Sequence, residues 1–536
     1  MLTVKQELYR GLGGVMNFAF GFTEVGVLVG ICGLYNYGLT TGGPSAIIWG
    51  WIVAYAVTMI VALNMAEICS AFPSAGSVYH WTGQLVPAKL APVMSYACGW
   101  ANFLGNAAGD ASFAYSWASF FDAARVASGQ PETLGTYELV GITILILFIW
   151  SLLNICRIDA VGWINNIGAV VQIGTIICII IGCLSVSEVL MSGSFVFTTY
   201  YNETGIASKS YVGAISLLCA LWSFSGYEAS AHMAEETNDA ARNAPKGILW
   251  TCVATGIGGL GLLFTLLFCT QDIDAVLYDD DDSYYLAGTN GQNATLVSSA
   301  LDTSYFTGVA SFNVFMTAAG PKFGAALCWL VVIVTFFAGL SSVAVTGRIT
   351  FALARDDGFP FSKTVAQVHP YFKSPLMAII MVWFFDSLLL LLPLVNSVAF
   401  NSITGIATIG FQVSYAIPIF MKVLYPEEPF PESKFDLGIF SRPLGLFSTI
   451  WLLGTSCLFF LPEVHPVTKD TMNWTIVVVA GFTMIGTVNW FVNARYTFRG
   501  PKRAEELVKV KAISLVNVGP ASAEPEGNQS GGIEKM

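Results

Sequence analysis

The chain has 536 residues, of which 55% are hydrophobic and only 11% charged, against roughly 25% charged in an ordinary soluble domain. That composition excludes a set of water-soluble domains, whose surfaces need far more charge. The net charge of −11 gives no basis for binding nucleic acid.

Residues 1–12 are short and mixed in charge and lack the pattern of a cleaved leader. They are read as a cytosolic N-terminus, with the first apolar helix serving as a retained signal. Apolar blocks of about 20 residues then follow, the length that crosses a ~30 Å hydrocarbon core. They fall at 13–38, 46–66, 91–118, 138–156, 162–184, 211–233, 246–269, 324–350, 375–394, 397–421, 444–461 and 474–493. The expected fold is therefore an all-α integral membrane protein of 12 transmembrane helices, with one transporter domain over 13–493. Its spans 1–5 and 6–10 make two halves, 13–184 and 211–421, and two further helices follow. The stretch 270–323 reads as a long polar loop, and 494–536 as a cytosolic, disordered tail.

Placing both termini in the cytosol leaves only Arg125, Lys209, Lys322 and Lys469 of the 24 basic residues outside, as the positive-inside rule requires. The sequons at Asn202, Asn293 and Asn473 then fall outside, and Asn202 and Asn293 are taken as glycosylation sites. The sequon at Asn528 falls in the inner tail and is expected to stay unmodified. The plasma membrane is the expected location, with the vacuole or another endomembrane as the alternative.

Nearly all of the 11 cysteines lie inside apolar blocks, so neither a disulfide framework, a disulfide-linked partner nor a zinc site is expected. The four histidines are scattered and no phosphate-binding loop is present. No metal, no cofactor and no enzymatic activity are expected.

Two spans depart from plain membrane helix. Span 1 carries Gly21, Thr23, Glu24, Val25 and Gly26 within six residues. Glu24 sits near mid-depth, where a charge persists only against a partner or a wet cavity. Span 6 reads Trp222-Ser223-Phe224-Ser225-Gly226-Tyr227-Glu228. Interrupted segments at corresponding positions of two halves point to a substrate site near the membrane midplane; close helix packing through small residues is the alternative. Span 3 places Asn102, Asn106 and Asp110 on one face. Glu228, His232 and Glu236 share a spacing of four, with Glu235 beside them. They read as an inner gate of charges or as a proton relay through the histidine. In span 8, Ser341, Ser342 and Thr346 either bond their own helix carbonyls or meet a sodium ion.

Three stretches carry a family resemblance: Met65 through Pro73, Gly76 and Trp81; Phe224 through Glu236 to Pro245 and Gly247; and Gly347-Arg348 through Ala354-Arg355-Asp356-Asp357-Gly358-Phe359-Pro360. They resemble the amino acid/choline transporters of the amino acid–polyamine–organocation superfamily, which include fungal GABA permeases and plant bidirectional amino-acid transporters. The resemblance extends over about residues 10–495. It implies the 5+5 inverted-repeat fold of the bacterial leucine transporter, with helices 1 and 6 broken. In similar proteins those breaks hold the substrate's carboxylate and amine; the matching positions are Thr23–Gly26 and Ser223–Tyr227. Glu24 departs from the small or apolar residue such a protein would place there, and favours a cationic substrate group. The resulting expectation is a secondary active permease for amino acids or related amines such as GABA, driven by a proton gradient or by exchange and embedded in the lipid bilayer. The alternatives are a choline or polyamine carrier on the same fold, a non-transporting nutrient sensor, and a channel.

Overall fold

A computed structural model describes residues 12–130, 133–155, 158–278, 306–372, 374–395, 399–428, 430–431, 433–469 and 471–501. Chain contacts separate a unit spanning Glu7–Pro501 from one made of Met1–Gln6 with Lys502–Met536; the second unit lies outside the described residues. So do Asn293 and residues 502–536 of the expected tail; its first residues, 494–501, are described, and Arg495–Thr497 continues the helix of the last span instead of starting a disordered tail.

Among the described residues the protein is helical, and β pairing is limited to isolated bridges at Leu12↔Thr237 and Thr41↔Asn202. A helix, a helix pair or a broken helix occupies each of the apolar blocks. Nine of these segments, among the described residues, are long and apolar enough to cross a membrane. The helix Ala91–Ala127, the broken segment after Lys209 and the helix Ser441–Leu458 fall outside that group.

The Ala91–Ala127 helix is the centre of the bundle. It packs along Ala310–Arg355 on one side and Ala399–Leu424 on another. Its Ala, Gly and Ser residues let neighbours approach closely, which is how membrane helices associate when water supplies no drive between them. Where it crosses Ala399–Leu424, an added Cβ on Gly410 would lie 2.4 Å from the Gly105 backbone nitrogen. The periphery is apolar and exposed: Leu145, Ile167, Ile177, Phe384 and Met484 face outward, as a lipid-facing surface requires.

Two boundaries differ from the sequence reading. The stretch 270–323 is not all irregular, because Ile273–Leu277 is helical and the Ala310–Arg355 helix begins well before residue 324, with a kink at Gly320. Phe312 and Phe315 anchor that early part in the core. The helix of span 3 runs on to Ala127, and Arg125 in its last turn pairs with Asp122 at 2.8 Å.

Candidate functional site

The first break is a single residue. Gly26 adopts φ 52° and ψ 49°, ending the helix Gly14–Val25 and starting Val27–Thr40. A residue with a β-carbon is disfavoured in this left-handed conformation, and here the added atom would also lie 2.9 Å from the Phe113 ring. The second break is longer. Helices Lys209–Ile215 and Leu217–Ser223 stop, Gly226 takes φ 86°, and the chain resumes as Ala229–His232 and a short 3-10 turn, Ala234–Glu236.

The breaks face each other. A β-carbon on Gly226 would lie 3.2 Å from Glu24 Cγ. The Gly226 N–H, freed from helical pairing, donates to the Tyr415 hydroxyl at 3.1 Å. Tyr415 in turn donates to Glu228 Oε2. Asn102 Nδ2 donates to Glu228 Oε1 at 3.1 Å and to the Ser414 hydroxyl at 3.3 Å. Glu24 and Asp110 face one another and share the Ser342 hydroxyl as a neighbour. Glu24, Asp110 and Glu228 are all buried, and Glu24 Oε2 and both Asp110 oxygens receive no hydrogen bond. Three carboxyls therefore converge on the breaks with no cationic side chain among them in the described residues, a setting that favours a positively charged guest or protonation.

Other candidate side chains are turned elsewhere. The hydroxyls of Thr23, Ser223 and Ser225 donate to the carbonyls of Asn165, Cys219 and Leu221 at 3.3, 3.1 and 2.9 Å. Val25 is buried in the core. Phe224 packs on Trp51 and Tyr55, and Tyr227 packs on Tyr415. Asn106 donates to its own helix at Asn102 O, 2.9 Å away, and its amide also stands beside Glu228. Ser341 donates to Phe20 O at 3.3 Å; Thr346 donates to Ser342 O at 3.1 Å, with its hydroxyl still beside Asp110. His232 does not bridge carboxyls: its Nδ1 meets Ala75 O at 3.0 Å.

Glu235 and Glu236 are engaged in a closed layer at one end of the bundle. Arg348 Nε donates to Glu236 Oε1 at 3.0 Å, and Arg355 lies 3.9 Å from Glu235. Glu235 also accepts from the Ser74 hydroxyl and the Ala75 N–H. Leu12 bonds Glu236 and Asn238 through the backbone, while Asn17 donates to Ser230 O and to the Thr237 hydroxyl. At the opposite end a cavity of about 570 Å³ opens, lined by Asn36, Tyr115, Glu203, Tyr278, Asn401 and Glu463 among others. An aromatic layer separates this cavity from the breaks: Trp222 packs on Phe113 at 5.9 Å and on Phe400 at 6.0 Å. Tyr415, Asp386 and this aromatic layer escaped the sequence reading. Only Asp386, an acid inside an apolar span, carried a visible signal.

Asn202, read as a glycosylation site, has its Nδ2 donating to Ile206 O at 2.9 Å. The described cysteines are free, and no group of three metal-binding side chains occurs among the described residues.

A membrane-length helical bundle broken twice around buried carboxyls, closed at one end and open at the other, is the build of a membrane permease. The amino acid permease family model matches residues 12–482, and the chain belongs to that family. Amino-acid permease BAT1 of Arabidopsis thaliana is 33% identical over 93% of this chain and 95% of its own length. A homologue from Oryza sativa subsp. japonica is 33% identical over 93% and 94%. A putative amino acid/polyamine transporter of Macrophomina phaseolina is 29% identical over 85% and 96%. The protein is thus a multi-pass integral membrane protein of an amino acid transporting family.

Proposed function

We propose that the protein is a secondary active permease that moves amino acids or related amines such as GABA by alternating access. The observation that carries this reading is the buried Glu24 carboxyl lying against the left-handed break at Gly226. A substrate ammonium would sit against Glu24, with Asp110 and Glu228 adding to the negative field. A substrate carboxylate would be held by backbone N–H groups at the breaks, where helix ends are partially positive.

The end closed by Glu236–Arg348 and Glu235–Arg355 is assigned to the cytosol and the cavity to the outside, in keeping with the distribution of basic residues. The conformation described then faces outward. Rocking of the halves 13–184 and 211–421 would part the ion pairs and close the aromatic layer over the substrate. The drive is a proton gradient or exchange of one substrate for another, with no requirement for sodium. The plasma membrane is the proposed location, with glycans on Asn202 and Asn293.

A polyamine or choline carrier is the second reading, favoured by three carboxyls at one site. Competition uptake in reconstituted vesicles separates the readings. Inhibition of labelled GABA or L-alanine uptake by amino acids, with potassium replacing sodium, is the expected result. Inhibition by spermidine or choline alone would select the second reading, and saturable binding without uptake would identify a sensor.

A further inference from the structure

Asp386 sits in the run Met381-Val382-Trp383-Phe384-Phe385-Asp386 of the helix Leu376–Leu389. That helix shows lipid-type residues outward, with Phe384 51% and Leu388 49% exposed, yet Asp386 itself is 0% exposed. Its carboxyl faces that of Asp110, also 0% exposed, across the contact between this helix and Ala91–Ala127. The Ser342 and Thr346 hydroxyls of Ala310–Arg355 face Asp110 from a third side.

None of the four carboxyl oxygens receives a hydrogen bond. Among the described residues the other charged groups acting around the pair are acidic: both Asp110 and Glu228 lie within electrostatic reach of Glu24. Arg348, on the same helix as Ser342 and Thr346, is turned to Glu236. Glu24 Oε2, buried on yet another helix, also lacks a donor. Two carboxyls in contact, away from water and without a cation, cannot both be ionised.

We infer that Asp110 and Asp386 form a proton-sharing carboxyl pair, and that the Ser342 hydroxyl, which faces both Asp110 and Glu24, connects this pair to the substrate's amine site. The inference rests on the proton-coupled reading above and gives it a location. With the pair holding one proton and Glu24 protonated, an arriving substrate ammonium displaces the Glu24 proton. That proton moves to Ser342 Oγ as the Ser342 hydroxyl proton moves to the Asp110–Asp386 pair. Glu24 becomes a carboxylate opposite the ammonium, the pair becomes doubly protonated, and the number of protons is unchanged. After rocking, the substrate and the second proton of the pair leave to the inner solution, and Glu24 takes up a proton from the outer solution when the site opens outward again, so one proton crosses with each substrate.

The test uses the full-length protein. Infrared titration in H2O and D2O should show a protonated-carboxyl band at neutral pH that Asp386→Asn removes and Asp386→Glu retains. Identical bands in wild type and Asp386→Asn overturn the pair, as does removal of the wild-type band by sodium at fixed pH, which would mark a metal-cation site. In proteoliposomes with labelled GABA, L-alanine and L-arginine as probes, Asp386→Asn should lose about tenfold or more of accumulation driven by a pH gradient, and Asp386→Glu should keep it. Unchanged gradient-driven accumulation in Asp386→Asn overturns the inference. Wild type that exchanges the probes but ignores the gradient would overturn the coupling reading instead, with the pair still decided by the infrared bands. Should Asp386→Asn fail to reach the membrane, Asp110→Asn takes its place in the infrared comparison, and a band identical to wild type in that variant overturns the pair.

Discussion

Glu24 and Gly226 touch across the two breaks: a methyl group on the glycine would sit 3.2 Å from Glu24 Cγ and 3.6 Å from its Oε1. The contact exists because Gly226 takes φ 86°, which turns its N–H to Tyr415 and leaves room for the acid. Gly226→Val should therefore reach the membrane but lose substrate binding, with local strain of about 1–3 kcal/mol. Gly226→Ala should be milder. Thermal stability of the purified protein with and without substrate is the measurement; a stable valine variant that substrate still stabilises would place this glycine outside the site.

Glu24→Gln should raise the apparent KM for substrates with a free ammonium by about 10- to 100-fold, the range set by losing one charge-assisted hydrogen bond. Surface levels should be unchanged, because glutamine keeps the shape of the side chain. Normal uptake kinetics in this variant would remove Glu24 from the amine site.

Glu236 and Arg348 hold the closed end at 3.0 Å, with the Glu236 side chain 4% exposed. Arg348→Ala strands that carboxylate and should weaken the closed layer by about 1–3 kcal/mol, below the value for a fully buried pair because Arg348 is partly solvated. A thiol introduced as Met233→Cys, at a buried position in this layer, should then react faster with a membrane-impermeant reagent from the inner side. The charge-swapped double variant Glu236→Arg/Arg348→Glu should slow it again. No change in labelling would mean that the pair does not gate.

Glu463 lines the cavity assigned above to the outside, and burial pushes its carboxyl up to about 7, with Asn401 opposing the shift. The residue is neutral below that pH and charged above it. In exchange mode, apparent KM for cationic substrates should fall a few-fold as outer pH rises from about 6 to about 8, because the vestibule gains a negative charge. Glu463→Gln should flatten the profile. The raised value also means that folding stability falls as pH rises from about 4.5 to about 7. The Tm of Glu463→Gln should accordingly exceed that of wild type at the alkaline end and not at the acidic end.

Length, apolar blocks and charge distribution determined the all-α membrane class and the places of the helices, because a hydrocarbon core demands about 20 apolar residues per crossing. Gly26 and Gly226 were legible for a related reason: glycine beside a buried acid, at matching places in two halves, contradicts a plain lipid-facing helix. What stayed hidden depended on rotation and long-range contact. The spacing Glu228, His232, Glu236 suggested one face, but the chain around Gly226 and Ala234–Glu236 is not regular helix. Glu228 therefore turns to Tyr415, His232 to Ala75 and Glu236 to Arg348. Thr23, Ser223 and Ser225 were legible as polar, yet their hydroxyls close onto backbone carbonyls. Asp386 was visible as an acid in an apolar span, but its partner was not. Only the packing of Leu376–Leu389 against Ala91–Ala127 sets it before Asp110, since a buried carboxyl's state depends on what faces it in space and not on its neighbours in the chain.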